Sequence, residues 1–115
     1  MIGPIEIKLD QAGAFIEMVT KNISYVRGQI EITHAGPTAT ALVMGFGITV
    51  DPNGSQFYEA DSSNRLSVIT TRAASVVVDV RATAKVRFFV VTASSVSGLR
   101  GMAWLHPYSE YTKLE

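Results

Sequence analysis

The chain contains no cysteine, which removes a disulfide framework, a thiolate metal site and a cysteine nucleophile together. Charge is scarce as well. Asp, Glu, Lys and Arg make up 17% of the residues, against about 25% in an average domain, and ten bases cancel ten acids to a formal net charge of zero. A neutral chain lacks the long-range field that draws proteins onto nucleic acid or anionic lipid, so neither partner is expected. No apolar run approaches the roughly 20 residues of a membrane-spanning helix. The N-terminal MIGPIEIKLDQ has neither the basic start nor the apolar block of a signal peptide, so a soluble, unexported protein is expected. The nucleophile turn G-x-S-x-G and the zinc spacings H-x-H and H-E-x-x-H are also missing. The expectation is a protein that is not an enzyme, with no catalytic residue, cofactor or metal.

What is present is sheet. At 115 residues the chain fits one domain over residues 1–115, because one hydrophobic core serves chains of roughly 50 to 200 residues. Ile5, Ile7 and Leu9 alternate with Glu6 and Lys8, the period of a half-buried strand. Residues 14–21 fit either a helical face through Phe15, Val19 and Ile23 or a strand with Phe15, Glu17 and Val19 on one side; strand is favoured by its neighbours. Ile30 and Ile32 mark another strand, in which Gly28 predicts a bulge or bend. Residues 38–50, TATALVMGFGITV, are long and apolar, with Gly45 and Gly47 permitting sharp bending or close approach. Asp51-Pro52-Asn53-Gly54 is the clearest turn and predicts a hairpin into SQFYEA.

The densest β signal is LSVITTRAASVVVDVRATAKVRFFVVTA, residues 66–93. It predicts strands over 66–71, 75–81 and 85–92, and a last strand over 102–105 ends before Pro107. Eight or nine short strands at roughly ten-residue spacing are the signature of an all-β fold, a single antiparallel sandwich of jelly-roll or Greek-key type with about eight strands.

Acids and bases are unevenly placed. Residues 1–61 hold seven acids against three bases, and residues 62–115 hold seven bases against three acids. Either early strands pair with late ones inside one sandwich, or neighbouring subunits meet through opposed patches. Arg72, Arg81, Lys85 and Arg87 are the bases that need such partners.

Few constellations suggest chemistry. His34 and His106 are the two histidines, seventy-two residues apart, and both read as loop residues. Glu6, Glu17, Glu31 and Glu59 lie on predicted strands, alternating with apolar neighbours as solvent-face carboxylates do. Residues 51–55 resemble a calcium loop only in part, since the glycine falls at the wrong position and the bidentate acid is missing. Asn22-Ile23-Ser24 fits a glycosylation pattern without a secretory context. Trp104, His106, Tyr108 and Tyr111 gather the sole Trp and half of the tyrosines, a group that reads as core, interface anchor or sugar platform. Together with Arg72 and Arg87 these are the interface or ligand candidates.

In size, strand spacing and Ser/Thr/Ala/Gly/Val-rich composition, the chain resembles the small β-sandwich decoration or cement proteins, and the fibre modules, of tailed bacteriophage virions. The resemblance implies a structural protein forming a symmetric homo-oligomer, most simply a trimer, that clamps neighbouring coat-protein subunits in the virion. The alternative is a carbohydrate- or receptor-binding module using Trp104 and Tyr108.

Overall fold

The computed structural model describes residues 1–33, 42–50, 56–59, 65–68, 73–81 and 83–108. Alternating side chains place nine strands: β1 (Ile2–Lys8), β2 (Phe15–Val19), β3 (Tyr25–Ile32), β4 (Leu42–Thr49), β5 (Tyr58–Glu59), β6 (Leu66–Val68), β7 (Ala73–Asp79), β8 (Lys85–Thr92) and β9 (Arg100–Tyr108). The favoured strand over residues 14–21 is present as β2, with Ile16 and Met18 buried.

The strands form two sheets, one ordered β1-β9-β3-β7 and the other β2-β8-β4-β5 with β6 also along β4. Every pairing is antiparallel. β5 pairs with Gly47 and Ile48, and β6 with Leu42 to Met44, so the two fragments make one interrupted edge strand. Apart from the β4–β5 hairpin and that interruption, consecutive strands change sheets. Of the two expected connectivities, this interleaved order is the jelly roll. The hairpin is the one expected from the Asp51–Gly54 turn, whose residues lie outside those described.

Between the sheets lies one apolar core. The first sheet contributes Ile7, Val26, Ile30, Ile32, Val78, Ala103 and Leu105, the second Ile16, Met18, Leu42, Met44, Phe46, Val86, Phe88 and Val90, with Leu9, Val80 and Leu99 at the ends. Each large side chain fully withdrawn from water contributes about 1.5 to 3 kcal/mol. At the centre, Phe46 and Phe88 stack with ring centroids 5.1 Å apart. Opposite them Gly28 shows no bulge, one of the two features expected there, since β3 keeps unbroken register with both β7 and β9 through it. Its missing side chain makes room instead, since a Cβ there would sit 2.8 Å from Phe46 Cζ and 3.0 Å from Phe88 Cδ1.

β9 also departs from expectation by running through Pro107 to Tyr108. Ser24 N–H donates to Tyr108 O, so even-numbered residues of β9 bond toward β3 and Pro107 turns its missing donor the other way. There β1 has already begun at Ile2, opposite Leu105, and no strand needs that donor.

Candidate functional site

Period-two alternation sends Trp104, His106 and Tyr108 to one face of β9, away from the core occupied by Ala103 and Leu105. All three are half-buried, so Trp104 is not a core residue and His106 is not a loop residue. β3 lies alongside in register, pairing Tyr25 with Tyr108, Arg27 with His106, Gln29 with Trp104 and Glu31 with Met102. Directly opposed side chains on one face sit about 4.5 to 5.5 Å apart at Cβ, so the outer surface of this sheet carries a double row, Tyr, Arg, Gln and Glu on β3 against Tyr, His, Trp and Met on β9. On the β1 side Gly3 admits the chain beside the indole. A Cβ there would lie 3.0 Å from Trp104 Cα and 3.1 Å from Trp104 Cδ1, and its φ of +109° suits glycine.

The row is locked by polar contacts. His106 Nε2 donates to Gln29 Oε1 at 3.2 Å, the Arg27 guanidinium lies 5.9 Å from the Tyr108 ring centroid, and Arg81 lies 5.3 Å from that of Tyr25. Burial, then the Arg27 charge and the terminal ammonium, hold the His106 imidazole below its ordinary pKa. Arg27 Nε is buried without a hydrogen-bond partner, and among the described residues no carboxylate forms a salt bridge with this guanidinium. Among the described residues its charge therefore has no salt-bridged carboxylate beside the aromatic row.

Arg87 lies on the opposite side of the molecule, on the outer face of β8. Its guanidinium is held between two rings, 3.9 Å from the centroid of Phe15 and 3.9 Å from that of Phe57, and its Nε donates to Glu17 Oε1 at 2.7 Å. Register explains the meeting, because Glu17 of β2 pairs with Arg87 and Arg87 with Gly47 of β4. Gly45 and Gly47 leave the strip beside Arg87 bare, and Phe57, Phe89 and Val91 pack over it. A half-open pocket of about 220 Å³ remains, walled by Phe15, Phe57, Phe89 and Glu59. Glu59 takes a two-pronged contact from Arg65, 2.6 and 2.8 Å, which holds its carboxyl below the usual range.

The structure thus brings Trp104, His106 and Tyr108 together and separates them from Arg87, while Arg72, Tyr111, His34 and the calcium-like residues 51–55 lie outside the described residues. Tyr25, Arg27 and Gln29 belong to the site although the sequence reading passed over them. Their signal was their position on the polar side of β3. Among the described residues four basic side chains form salt bridges within the chain: Arg87 with Glu17, Arg100 with Asp10 at 3.8 Å, Arg81 with Asp79 and Arg65 with Glu59. The first two join the acidic early half to the basic late half, and the other two are local. Among the described residues no three His, Asp or Glu side chains converge as metal ligands, and no helix is long and apolar enough to cross a membrane. No family model matches the chain, and neither a curated protein nor a solved structure matches it.

Proposed function

We propose that the protein is a structural interaction protein rather than an enzyme, assembling as a symmetric homo-oligomer through the outer face of the β1-β9-β3-β7 sheet. The observation that carries this reading is the double row Trp104, His106, Tyr108 and Tyr25, Arg27, Gln29. Solvated sheet faces are mainly charged and small-polar, whereas Trp, Tyr, Met and Arg are the residues enriched where proteins meet. Arg27 supplies a positive charge that forms no salt bridge among the described residues and favours an oxygen-rich surface opposite. A trimer capping coat-protein subunits of a virion is the arrangement that fits the decoration-protein resemblance.

Light scattering on eluted protein tests the assembly: a trimer, or a multiple of one, of the 12.4 kDa chain is expected, and Trp104→Ala should break that contact without lowering β content by circular dichroism. A strict monomer at high concentration would overturn the reading. A second reading, sugar binding on the same face, is favoured by the indole standing beside the hydrogen-bonded His106–Gln29 pair. It gains if Trp104→Ala still assembles but loses binding on a glycan array.

A further inference from the structure

The sandwich has four lateral sheet edges, and three of them are blunted. At β1, Pro4 lacks a donor and the ladder shifts register between Ile2 and Ile5, with Glu6 and Lys8 on the strand. β2 is five residues long with Glu17 at its centre. On the β5–β6 edge the described strand residues, Tyr58–Glu59 and Leu66–Val68, are separated by Arg65, which is in no strand, and Glu59 and Arg65 put charges there. Short strands, charges, Pro and bulges are the devices that stop one sheet from pairing with another. β7 has none of them over Ala73–Val78: it runs seven residues, AASVVVD, in unbroken register with β3, and its first charge is Asp79 at the end.

Hydrogen-bond parity shows which amides this edge offers. Val80 N–H donates to Ser24 O, so in an unbroken strand the groups of Val78, Val76 and Ala74 also turn toward β3, whereas those of Ala73, Ser75, Val77 and Asp79 turn outward. No described strand pairs with them. Their complement is another extended backbone, and the sequence of β7 fits a second copy of itself.

We propose that β7 pairs antiparallel with β7 of a second copy of this chain about a two-fold axis at Val76. In that register Ser75 opposes Val77 and Ala73 opposes Asp79, so each outward-turned amide meets an outward-turned partner. The inward residues Ala74, Val76 and Val78 of both copies continue one apolar row, which covers Ala74 and Val76, the two that a single copy leaves half-buried. Like charges never face each other, because each Asp79 meets an Ala73 and is neutralised by its own Arg81. A seven-residue run that no described strand pairs on its outer edge, without charge before its last position, is what a self-pairing edge requires. The contact is two-fold, so it yields even-numbered assemblies: a dimer by itself, or a hexamer where it joins two of the trimers proposed above. It stands independently of the aromatic face.

Val77→Pro is the decisive variant. It deletes one outward N–H and leaves the bonds to β3 intact, and an edge strand tolerates proline in that position. Ser75→Lys, whose side chain is also outward, is the second variant should the proline disturb folding. Light scattering and amide hydrogen exchange are measured on wild type and both variants across protein concentration. The expected result is an even-numbered wild type with at least tenfold, concentration-dependent slowing of exchange at Ser75 and Val77, and a halved mass with lost protection in both variants. Any of four outcomes overturns the proposal: an odd-numbered or monomeric wild type, free exchange at both amides, variants of unchanged mass, or protection independent of concentration, which would mean that the chain's own residues or a co-purified peptide cover the edge. Trp104→Ala separates the two contacts: it reduces a hexamer to a β7-paired dimer where both exist, and it leaves the mass unchanged where the aromatic face makes no contact.

Discussion

Gly28→Ala adds one methyl group at the tightest contact between the two sheets. The new Cβ would lie 2.8 Å from Phe46 Cζ, 3.0 Å from Phe46 Cε1 and 3.0 Å from Phe88 Cδ1, closer than carbon atoms tolerate. The obstacle is the far edge of a stacked pair with buried neighbours behind it, so the rings shift only by repacking the centre of the core. Overpacking of this kind costs about 1 to 3 kcal/mol, and loss of glycine's freedom in the unfolded chain returns about 0.4 to 1 kcal/mol. The net is a destabilisation of about 1 to 2 kcal/mol. At an unfolding entropy of about 2.1 cal/mol/K per residue, that lowers the melting temperature by roughly 4 to 8 °C. Thermal melts by circular dichroism or calorimetry measure the single variant, and Phe46→Leu in the same background tests the cause. Removing the ring should relieve the added methyl group and give a coupling of about 0.5 kcal/mol or more in the double-mutant cycle. An unchanged or raised melting temperature, or additive single effects, would refute the reading of Gly28 as the seat of the Phe46–Phe88 pair.

Arg87→Ala removes contacts with two rings and with Glu17. At about 0.5 to 1 kcal/mol for each ring contact at an exposed site and a few tenths for the ion pair, urea titration should show a loss of about 1 to 2 kcal/mol. Arg87→Lys keeps the charge without the planar stack and should restore less than half; full restoration would mean that charge alone matters. His106 carries a pH signature. Its folded pKa lies below 6.5, so the unfolded chain takes up the proton first. Stability is therefore intact above pH 6.5 and declines as pH falls toward the folded value. The urea midpoint should drop more steeply between pH 7 and 5 in wild type than in His106→Gln, and parallel curves would remove His106 as the cause.

Local pattern located strands wherever alternation was sustained. The expected strand over 85–92 coincides with β8, a central strand whose inward Val86, Phe88 and Val90 and outward Lys85 and Arg87 obey period two along its length. Of the expected strand over 66–71, residues 66–68 are present as β6, and residues 69–71 lie outside the described residues. Pro107 was read as a stop because its lack of a donor matters only if a neighbour needs one, and that depends on where β1 begins. Gly28 was misread for a similar reason, since a bulge and a close approach leave the same mark in sequence and only Phe46 from the facing sheet distinguishes them. In the candidate site, Trp104, His106 and Tyr108 share a face by spacing alone. Tyr25, Arg27 and Gln29 join them through the β3–β9 pairing, which links positions more than seventy residues apart and leaves no local trace.

The position of β9 between β1 and β3 sets an order on folding. β1 has its partner far downstream, in residues 100–108, and β3 has one flank open until the same segment arrives. During synthesis β1 and one flank of β3 must therefore wait unpaired for β9, and closure over so long a loop places the chain among the slower, millisecond-to-second folders typical of non-local β topologies. In that interval the β7 sequence, uncharged as far as Asp79, is exposed to every neighbouring nascent chain.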